Sequence, residues 1–249
     1  MIPESVAAFF AAHQEVLWIV TLLLDLGFTL LLYRLFGKVG LQVAIATAII
    51  LANLQGPKLT IIAGFETSLG VIFYSSIFLA TDMLSENYGK REAARAVWMG
   101  FTVSVIVLVM LSIGLMYLPS TNPKSAEFSS DIQNAFDTIL NFTPRFVFGS
   151  LLAYLISQRF DVWAFHKIKS WTGERWLWLR NNGSTMASQL IDTTIYSLIV
   201  WWGTVELTHA LMLGAVKYGF KLVIAAIDTV FIYWAKDMLR RRDPVFANA

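Results

Sequence analysis

The sequence predicts an all-α membrane protein, a polytopic helix bundle with about seven transmembrane helices that forms a single domain over residues 1–249. This prediction rests on the composition, on the apolar stretches and on the placement of the basic residues. Of the 249 residues, 57% are hydrophobic and only 14% are charged, whereas a soluble domain carries about a quarter charged residues. Because a soluble fold of this length cannot hide so much apolar surface, we expect the bilayer to be its solvent.

Seven stretches approach the roughly 20 mainly apolar residues that a spanning helix needs. They are residues 16–36, 39–54, 68–84, 97–118, 142–165, 184–205 and 207–235. The second and third are the shortest, and the segment 55–67 between them contains Gly56, Pro57 and Gly64. We expect this segment to form a re-entrant or interfacial turn.

Basic residues alternate between the connections. They are frequent after the first, third, fifth and seventh stretches, whereas the connection after the second has only Lys58 and that after the fourth only Lys124. A missed or extra helix would break this alternation. The positive-inside rule therefore predicts a multi-pass protein of the cell inner membrane, with its N-terminus outside and its C-terminus in the cytoplasm.

Two connections carry further patterns. In the polar connection 119–141, Ser130 with Gln133 resembles a capping box, and apolar residues share one face, which predicts a short amphipathic helix. Two placements are left open for this helix: it rests on the membrane surface, or it forms a lid over an outer vestibule.

In the connection before the sixth stretch, Trp171, Trp176 and Trp178 suit an aromatic belt. Residues 181–184 are expected to turn the chain into the sixth helix.

The composition also limits the chemistry. With no Cys, disulfides, thiolate nucleophiles and Cys-based metal sites are excluded. The three His lie far apart in no metal-ligand pattern, and no Walker-type phosphate loop is present. We therefore expect no cofactor, no metal site, no catalytic residue and no nucleic-acid partner.

Polar residues inside the apolar stretches are the best functional candidates, because an ionisable residue there is costly without a partner or a cavity. In the third stretch, Tyr74, Phe78, Asp82 and Glu86 recur at intervals of four and so share one helix face. The alternative reading makes Asp82 and Glu86 interfacial charges paired with the basic residues at positions 90 and 91.

The fifth and sixth stretches repeat this pattern. Tyr154, Gln158 and Asp161 share a face in the fifth, although Asp161 could instead pair with Arg159 or Lys167. In the sixth, Gln189 and Asp192 lie three residues apart, and a structural interhelical hydrogen bond is the alternative.

The seventh stretch adds Lys221 and Asp228. A buried Lys needs a carboxylate partner or loses its proton, so Lys221 is expected to pair with Asp192 or Asp228, or to act in coupling. Asn53 in the second stretch is a weaker candidate.

These side chains together suit a polar, planar, hydrogen-bonding ligand. A carboxylate accepts two parallel N–H bonds and a Gln amide both donates and accepts. Aromatic rings stack on a purine-like ring, worth roughly 1–3 kcal/mol per base in soluble binders. Several classes of solute would satisfy this chemistry.

Three runs resemble a known family: residues 78–90 (FLATDMLSENYGK), residues 153–158 followed by Asp161, and residues 178–182 followed by 188–192. They are similar to the signature of the queuosine precursor transporter family, also called the vitamin uptake transporter family. The resemblance extends from about residue 41 to residue 228. It implies a six-helix core like that of vitamin-binding transporter subunits, to which the stretch 16–36 is an addition.

The resemblance implies a carrier for 7-deazaguanine bases, either the cyano and aminomethyl precursors of queuosine or queuine. The matching motif positions are Asp82, Glu86, Asn87, Gln158, Asp161, Asn181, Gln189 and Asp192. We expect Asp82, Asp161 and Asp192 to converge with Gln158 and Gln189 around the base, with Tyr74, Phe78 or Tyr154 stacking on it.

The expected function is therefore import of queuosine precursors, with the base and the lipid bilayer as partners and a homo-oligomer left open. The alternative is a substrate-binding membrane subunit of a larger ATP-driven uptake complex. A membrane enzyme is disfavoured because no nucleophile with an adjacent base is visible, and a scaffold would not need so many intramembrane carboxylates. Facilitated diffusion and proton symport both remain open as the source of energy.

Overall fold

The protein, here as a computed structural model, is a helix bundle with one short β-hairpin. The structure describes residues 3–56, 58–140, 144–200 and 206–241. The helices are α1 (Glu4–Ala12), α2 (Gln14–Gln55), α3 (Gly70–Asn87), α4 (Lys90–Leu115), α5 (Ala126–Leu140), α6 (Pro144–Thr172), α7 (Leu177–Val200) and α8 (Leu207–Arg241), and the strands are β1 (Leu59–Ile62) and β2 (Phe65–Ser68). Residues 142–143 and 201–205, at the ends of two predicted stretches, lie outside the described residues.

Helix α2 combines the first two predicted stretches, but the chain reverses direction within it. Gly37 has φ 60° and ψ −133°, a conformation that glycine adopts without a steric cost. A Cβ added to Gly40 would lie 2.0 Å from the carbonyl oxygen of Leu32, whereas these residues would be about 12 Å apart along a straight helix. Residues 14–36 and 38–55 are therefore two antiparallel arms, called the first and second arm below.

The segment predicted as a turn between the second and third stretches is a β-hairpin, so the all-α prediction missed these strands. Strands β1 and β2 pair antiparallel, with Ile62 opposite Phe65. Ala63 and Gly64 between them both have positive φ, 52° and 81°, as a two-residue hairpin turn of type I′ requires. The backbone N–H of Ala63 donates to Glu15 Oε1 (3.2 Å), which joins the hairpin to the first arm.

The connection predicted before the sixth stretch is mostly helical. Helix α7 begins at Leu177, so residues 181–184 lie inside it and do not form a turn. Trp171 belongs to α6 and Trp178 to α7, and of the three tryptophans only Trp176 lies between the helices, with a φ of 63°. The prediction failed because the polar residues of this segment face the bundle interior: Asn181 and Ser184 are completely buried.

The amphipathic helix predicted in the connection 119–141 is present as α5, but the capping box is wrong. Helix α5 begins at Ala126, four residues before Ser130. The backbone N–H of Ala126 donates to the carbonyl oxygen of Asn122 (2.8 Å). Gln133 instead donates its amide N–H to the carbonyl oxygen of Leu115 (3.3 Å), at the end of α4.

The bundle has two distinct ends. At one end, which we call the hairpin end, the start of α3 approaches the end of the second arm, since a Cβ on Gly70 would meet Gly56. At the opposite end, the Glu86 end, Tyr33 of the first arm accepts a hydrogen bond from Asn87 (3.0 Å) and Lys38 pairs with Glu92 (3.4 Å). Helix α3 connects the two ends through the centre, and all its residues from 70 to 85 except Tyr74 are buried.

The outer surface of the bundle is apolar. Side chains such as Phe28 (58% exposed) and Met110 (61% exposed) point away from the core. By length and composition, three helices among the described residues qualify to cross a membrane: Gln14–Gln55, Lys90–Leu115 and Ala210–Arg241. The fold is therefore that of a helical membrane protein.

Candidate functional site

A cavity of about 180 Å³ opens between the second arm and helices α3, α4, α6, α7 and α8. Five of the sequence-predicted residues line it: Asn53, Tyr74, Tyr154, Asp192 and Lys221. Tyr196 and Lys217, which were not predicted as site residues, also line it. Helical spacing could have identified this last pair, because each lies four residues from a lining residue, Asp192 or Lys221.

Asp192 is the most connected side chain of the cavity. It accepts hydrogen bonds from Tyr74 Oη (2.7 Å), from Ser157 Oγ (3.3 Å) and from Lys221 Nζ (2.6 Å). Lys221 also donates to Thr193 Oγ1 (3.4 Å). The ion pair resolves the alternatives left by the sequence, because Lys221 pairs with Asp192 and not with Asp228. The cavity thus presents a carboxylate and an ammonium group side by side.

Aromatic rings surround this ion pair. The Lys221 ammonium lies 5.0 Å from the centre of the Tyr74 ring, and the Lys217 ammonium lies 4.6 Å from that of Tyr196. Tyr154 contacts Tyr74 edge-on at 6.4 Å and donates its hydroxyl to the carbonyl oxygen of Val97 (3.2 Å). These rings give the cavity flat apolar surfaces beside its charges.

Phe78 does not line the cavity. Its ring is almost fully buried and packs against Tyr74 at a centroid distance of 5.7 Å. It therefore supports the Tyr74 ring from behind.

Gln158 and Gln189 lie one helical turn deeper, on the side of the Glu86 end. Gln158 follows Tyr154 by four residues on α6, and Gln189 precedes Asp192 by three on α7. Both are buried, and among the described residues neither amide atom of Gln158 nor Oε1 of Gln189 has a hydrogen-bond partner. Such unsatisfied groups are rare in native proteins and each requires an explanation.

The next level holds three buried carboxyl groups, Asp82, Asp161 and Asp228, which we call the carboxylate trio. Asp82 Oδ2 accepts from Thr185 (3.0 Å) and Asp161 Oδ1 accepts from Ser188 (2.8 Å). Asp228 Oδ1 accepts from the Asn181 amide (3.0 Å). Thr185 and Ser188 lie three residues apart on α7, so the carboxyl groups of Asp82 and Asp161 are neighbours.

Within the described part of the chain, no member of the trio forms an ion pair with a Lys, Arg or His. The cations suggested for Asp161 from the sequence lie elsewhere. Arg159 packs 5.5 Å from the Trp98 ring centre, and Lys167 packs 5.4 Å from that of Trp171. The pairing of Asp161 with these two residues is therefore wrong, and so is that of Asp82 with residues 90 and 91.

Glu86, one turn beyond Asp82, has the opposite environment. Arg180 donates to both of its carboxylate oxygens (3.0 and 2.6 Å), and Lys169 donates to Oε2 (3.1 Å). Lys236 also binds Glu86 Oε1. The expected partners at positions 90 and 91 are therefore replaced by residues of α6, α7 and α8. Together Glu86, Lys169, Arg180 and Lys236 form what we call the Glu86 cluster.

Glu174 completes this cluster at the surface. Its carboxylate is 72% exposed and binds Lys236 (3.0 Å) and Lys169 (3.6 Å). The hydrogen bond from Lys236 and the charge of Lys169 lower the pKa of Glu174 below its ordinary value. Glu86 itself is far from the cavity lining, so its predicted contact with the base is not supported by this geometry.

The candidate residues thus form successive levels along the bundle. From the cavity to the Glu86 end, these levels hold Tyr74, Tyr154, Asp192 and Lys221, then Phe78, Gln158 and Gln189, then Asp82, Asp161, Asn181 and Asp228, and last Glu86, Lys169, Arg180 and Lys236. In the parts of the chain that the structure describes, no group of three His, Asp or Glu residues is arranged to hold a metal ion.

Comparison with known proteins shows to which family this chain belongs. Residues 68–235 match the family model described as "Putative vitamin uptake transporter". A "Probable queuosine precursor transporter" of Bacillus subtilis (strain 168) is 38% identical over 224 residues, covering 89% of this chain and 94% of the relative. The "Queuosine precursor transporter" of Escherichia coli (strain K12) is 26% identical over 69% of this chain and 73% of its own.

A third relative, from Haemophilus influenzae (strain ATCC 51907 / DSM 11121 / KW20 / Rd), is also called "Probable queuosine precursor transporter" and is 25% identical over 68% of each chain. No solved structure matches this chain. The family match covers most of the chain and includes all residues of these levels except Lys236. The resemblance seen in the sequence motifs is therefore confirmed, and the chain belongs to the vitamin uptake transporter family.

Proposed function

We propose that this protein imports queuosine precursors, 7-deazaguanine bases, across the cell inner membrane. The observation that carries the proposal is the cavity, in which the Asp192–Lys221 ion pair lies among tyrosine rings. The names of its relatives as queuosine precursor transporters support the choice of substrate. Its role is transport and not catalysis.

The proposed topology has seven spans: the two arms of α2, then α3, α4, α6, α7 and α8. The contacts support an alternating path, because Glu15 meets the β-hairpin at one end while Tyr33 and Lys38 meet Asn87 and Glu92 at the other. The Glu86 end carries the basic connections and faces the cytoplasm under the positive-inside rule. The N-terminus is then outside and the C-terminus inside.

The ion pair suits the edge of a guanine-like base. Such an edge presents adjacent N–H donors beside a carbonyl acceptor. The Asp192 carboxylate can accept the N–H groups and the Lys221 ammonium can donate to the carbonyl oxygen. Tyr74 or Tyr154 would stack on the ring, and Asn53 is placed at the exposed rim of the cavity.

The two glutamines follow this site on the way to the Glu86 end, outside the lining of the cavity. Their unsatisfied amide groups lie one turn below Tyr154 and Asp192. In the proposed cycle the base meets these amides as it moves toward the Glu86 end. The ring of Phe78 keeps Tyr74 in place throughout.

The test measures queuosine in the tRNA of a bacterium that lacks both precursor synthesis and its own importer. Expression of this chain with a low external supply of the cyano base is expected to restore queuosine. An Asp192→Asn variant that reaches the membrane in equal amount is expected to lose most of this rescue, whereas Asp131→Asn on the exposed surface of α5 is expected to keep it. No rescue by the wild type, despite good membrane expression, would contradict the proposed function.

Reconstitution separates this proposal from an ATP-driven complex. The purified chain alone in liposomes is expected to exchange external labelled base for internal unlabelled base without ATP. If exchange requires other membrane proteins and ATPases that co-purify with the chain, the protein is a subunit of a larger complex instead.

A further inference from the structure

Two buried carboxyl groups in the middle of the bundle each have one oxygen without a donor among the described residues. Asp82 Oδ1 and Asp161 Oδ2 lack a hydrogen-bond partner among the described residues, whereas the second oxygen of each carboxyl group is bound by Thr185 or Ser188. Thr185 and Ser188 lie three residues apart on α7, so the two carboxyl groups that they bind are neighbours. Two ionised carboxylates buried side by side repel each other, and a proton on one of the two removes that repulsion.

Among the described residues, no cation forms an ion pair with either carboxyl group. From α8 the titratable group facing the pair is Asp228, a further carboxyl bound to the Asn181 amide. From α7 the pair meets the hydroxyl groups of Thr185, Ser184 and Ser188. On α3 and α6 the nearest ionic residues in sequence, Glu86 and Arg159, are engaged with other partners.

The buried amide of Gln158 connects this pair to the cavity. It lies on α6 between Tyr154, which lines the cavity, and Asp161, and both of its polar atoms are without a partner in the described structure. It is completely buried. An unpartnered group that can both donate and accept is therefore placed between the proposed base site and the carboxyl pair.

We propose that Asp82 and Asp161 form a proton-binding site that couples import of the base to inward movement of one proton. The inference rests on the proposed function and assigns these two residues a role other than the direct contact with the base that the motifs suggested. The proton binds while the pair is open to the outside and leaves to the cytoplasm in the same cycle as the base. With a neutral base, each cycle moves one positive charge inward.

The proton balance defines what the pair must do. One oxygen–hydrogen bond forms on the carboxyl pair when a hydronium ion outside gives up its proton, and the same bond breaks when water inside accepts it. The base itself is unchanged. Because the fully ionised pair would place two like charges in contact beside Asp228, return of the pair without its proton is the costly step.

The experiment uses the purified full chain in liposomes with labelled 7-cyano-7-deazaguanine. Exchange of labelled for unlabelled base is measured without an ion gradient, and net accumulation is measured with the outside one pH unit more acidic. The wild type is expected to do both, and one proton per base supports about tenfold accumulation for one pH unit. Asp82→Asn and Asp161→Asn are expected to retain exchange and to lose accumulation.

Matched controls test whether a loss of accumulation in the Asn variants results from unfolding. Asp161→Glu keeps a titratable group and is expected to recover part of the accumulation. Asp25→Asn removes a half-buried carboxyl of the first arm, outside the trio, and is expected to accumulate base like the wild type. Size-exclusion chromatography of each variant verifies that it is folded.

The outcomes distinguish a failure of this inference from a failure of the proposed function on which it rests. A wild type that exchanges the base but does not respond to the pH gradient overturns the proton site and leaves the proposed function intact. Accumulation by both Asn variants overturns it as well. A folded wild type that cannot exchange the base at all contradicts the proposed function, and the inference falls with it.

Discussion

Glu86 of the Glu86 cluster and Asp82 of the carboxylate trio lie one turn apart on α3, yet their surroundings balance charge in opposite ways. Glu86 is surrounded by Arg180, Lys169 and Lys236, each on a different helix. Among the described residues, the polar side chains that interact with Asp82 are the hydroxyl group of Thr185 and other carboxyl groups. Similar side chains on the same helix face can therefore serve as a structural ion-pair centre or as a site that needs a proton, depending on what the neighbouring helices supply.

The largest expected effect is that of Glu86→Ala. It would leave the completely buried Arg180 without its carboxylate, and breaking a buried ion pair in this way costs about 3–5 kcal/mol. We expect the free energy of unfolding in detergent to fall by this order. Thermal unfolding followed by size-exclusion chromatography measures the change.

Glu174→Ala is the matched control for that change, because Glu174 binds two of the same cations from an exposed position. Exposed ion pairs contribute at most about 1 kcal/mol, so its unfolding temperature should stay close to that of the wild type. Equal losses in the two variants would show that burial of Arg180 is not what makes the Glu86 cluster important.

Asp192→Asn tests the intermediate case of one carboxylate with one cation. A hydrogen bond to a charged group is worth about 1.5–3 kcal/mol, which corresponds to a loss of roughly 10- to 150-fold in affinity for the base. Competition binding with purified protein measures this loss. An unchanged affinity would remove Asp192 from the site, whatever its effect on Lys221.

Asp82→Asn is expected to change stability far less than Glu86→Ala. If the Asp82–Asp161 pair already carries a proton, an Asn amide replaces a neutral carboxyl group of nearly equal shape, and the loss should be about 1 kcal/mol or less. Thermal unfolding under the same conditions gives the comparison. A loss as large as that of Glu86→Ala would mean that Asp82 is ionised and pairs with a cation.

The smallest effect concerns the pH dependence of Glu174. Its folded pKa lies below the ordinary value of 4.5 because Lys236 and Lys169 favour the carboxylate. Its contribution is therefore present above pH 4.5 and is lost as the pH falls through the lower folded value. We expect Glu174→Gln to be less stable than the wild type at neutral pH by about 0.5 kcal/mol or less, given the exposure of the pair.

That difference should disappear in acid and in concentrated salt, because salt screens exposed charges. Unfolding measured at two pH values and two salt concentrations tests both statements. A difference that persists in acid would assign the stabilisation to the shape of the Glu174 side chain and not to its charge.

The sequence predicted the helical segments well because apolar stretches and helical spacing are local properties. The gap left between residues 36 and 39 coincides with the break at Gly37. The spacing of Tyr74, Asp82 and Glu86 correctly placed them along one helix face, at three levels of the bundle. The β-hairpin was missed because Gly56, Pro57 and Gly64 led the whole segment 55–67 to be interpreted as a turn.

The choice of partners could not be predicted in the same way. Local spacing suggested Lys90 and Arg91 for Glu86, but the cations that bind it come from positions 83 to 150 residues later in the chain. The sequence predicted either Asp192 or Asp228 as the partner of Lys221. The packing of α7 against α8 determines that the partner is Asp192. Partner choice depends on helix packing, and a single sequence does not contain that information in any local pattern.

The reversal at Gly37 also bears on how far the protein can be shortened. The family match begins at residue 68, after both arms of α2. Ile49 and Asn53 of the second arm nevertheless line the cavity, and the absence of a side chain at Gly40 lets the first arm lie directly against the second. A fragment cut at the family boundary would lack one wall of its binding chamber, and lipid tails could enter where the base is expected to bind.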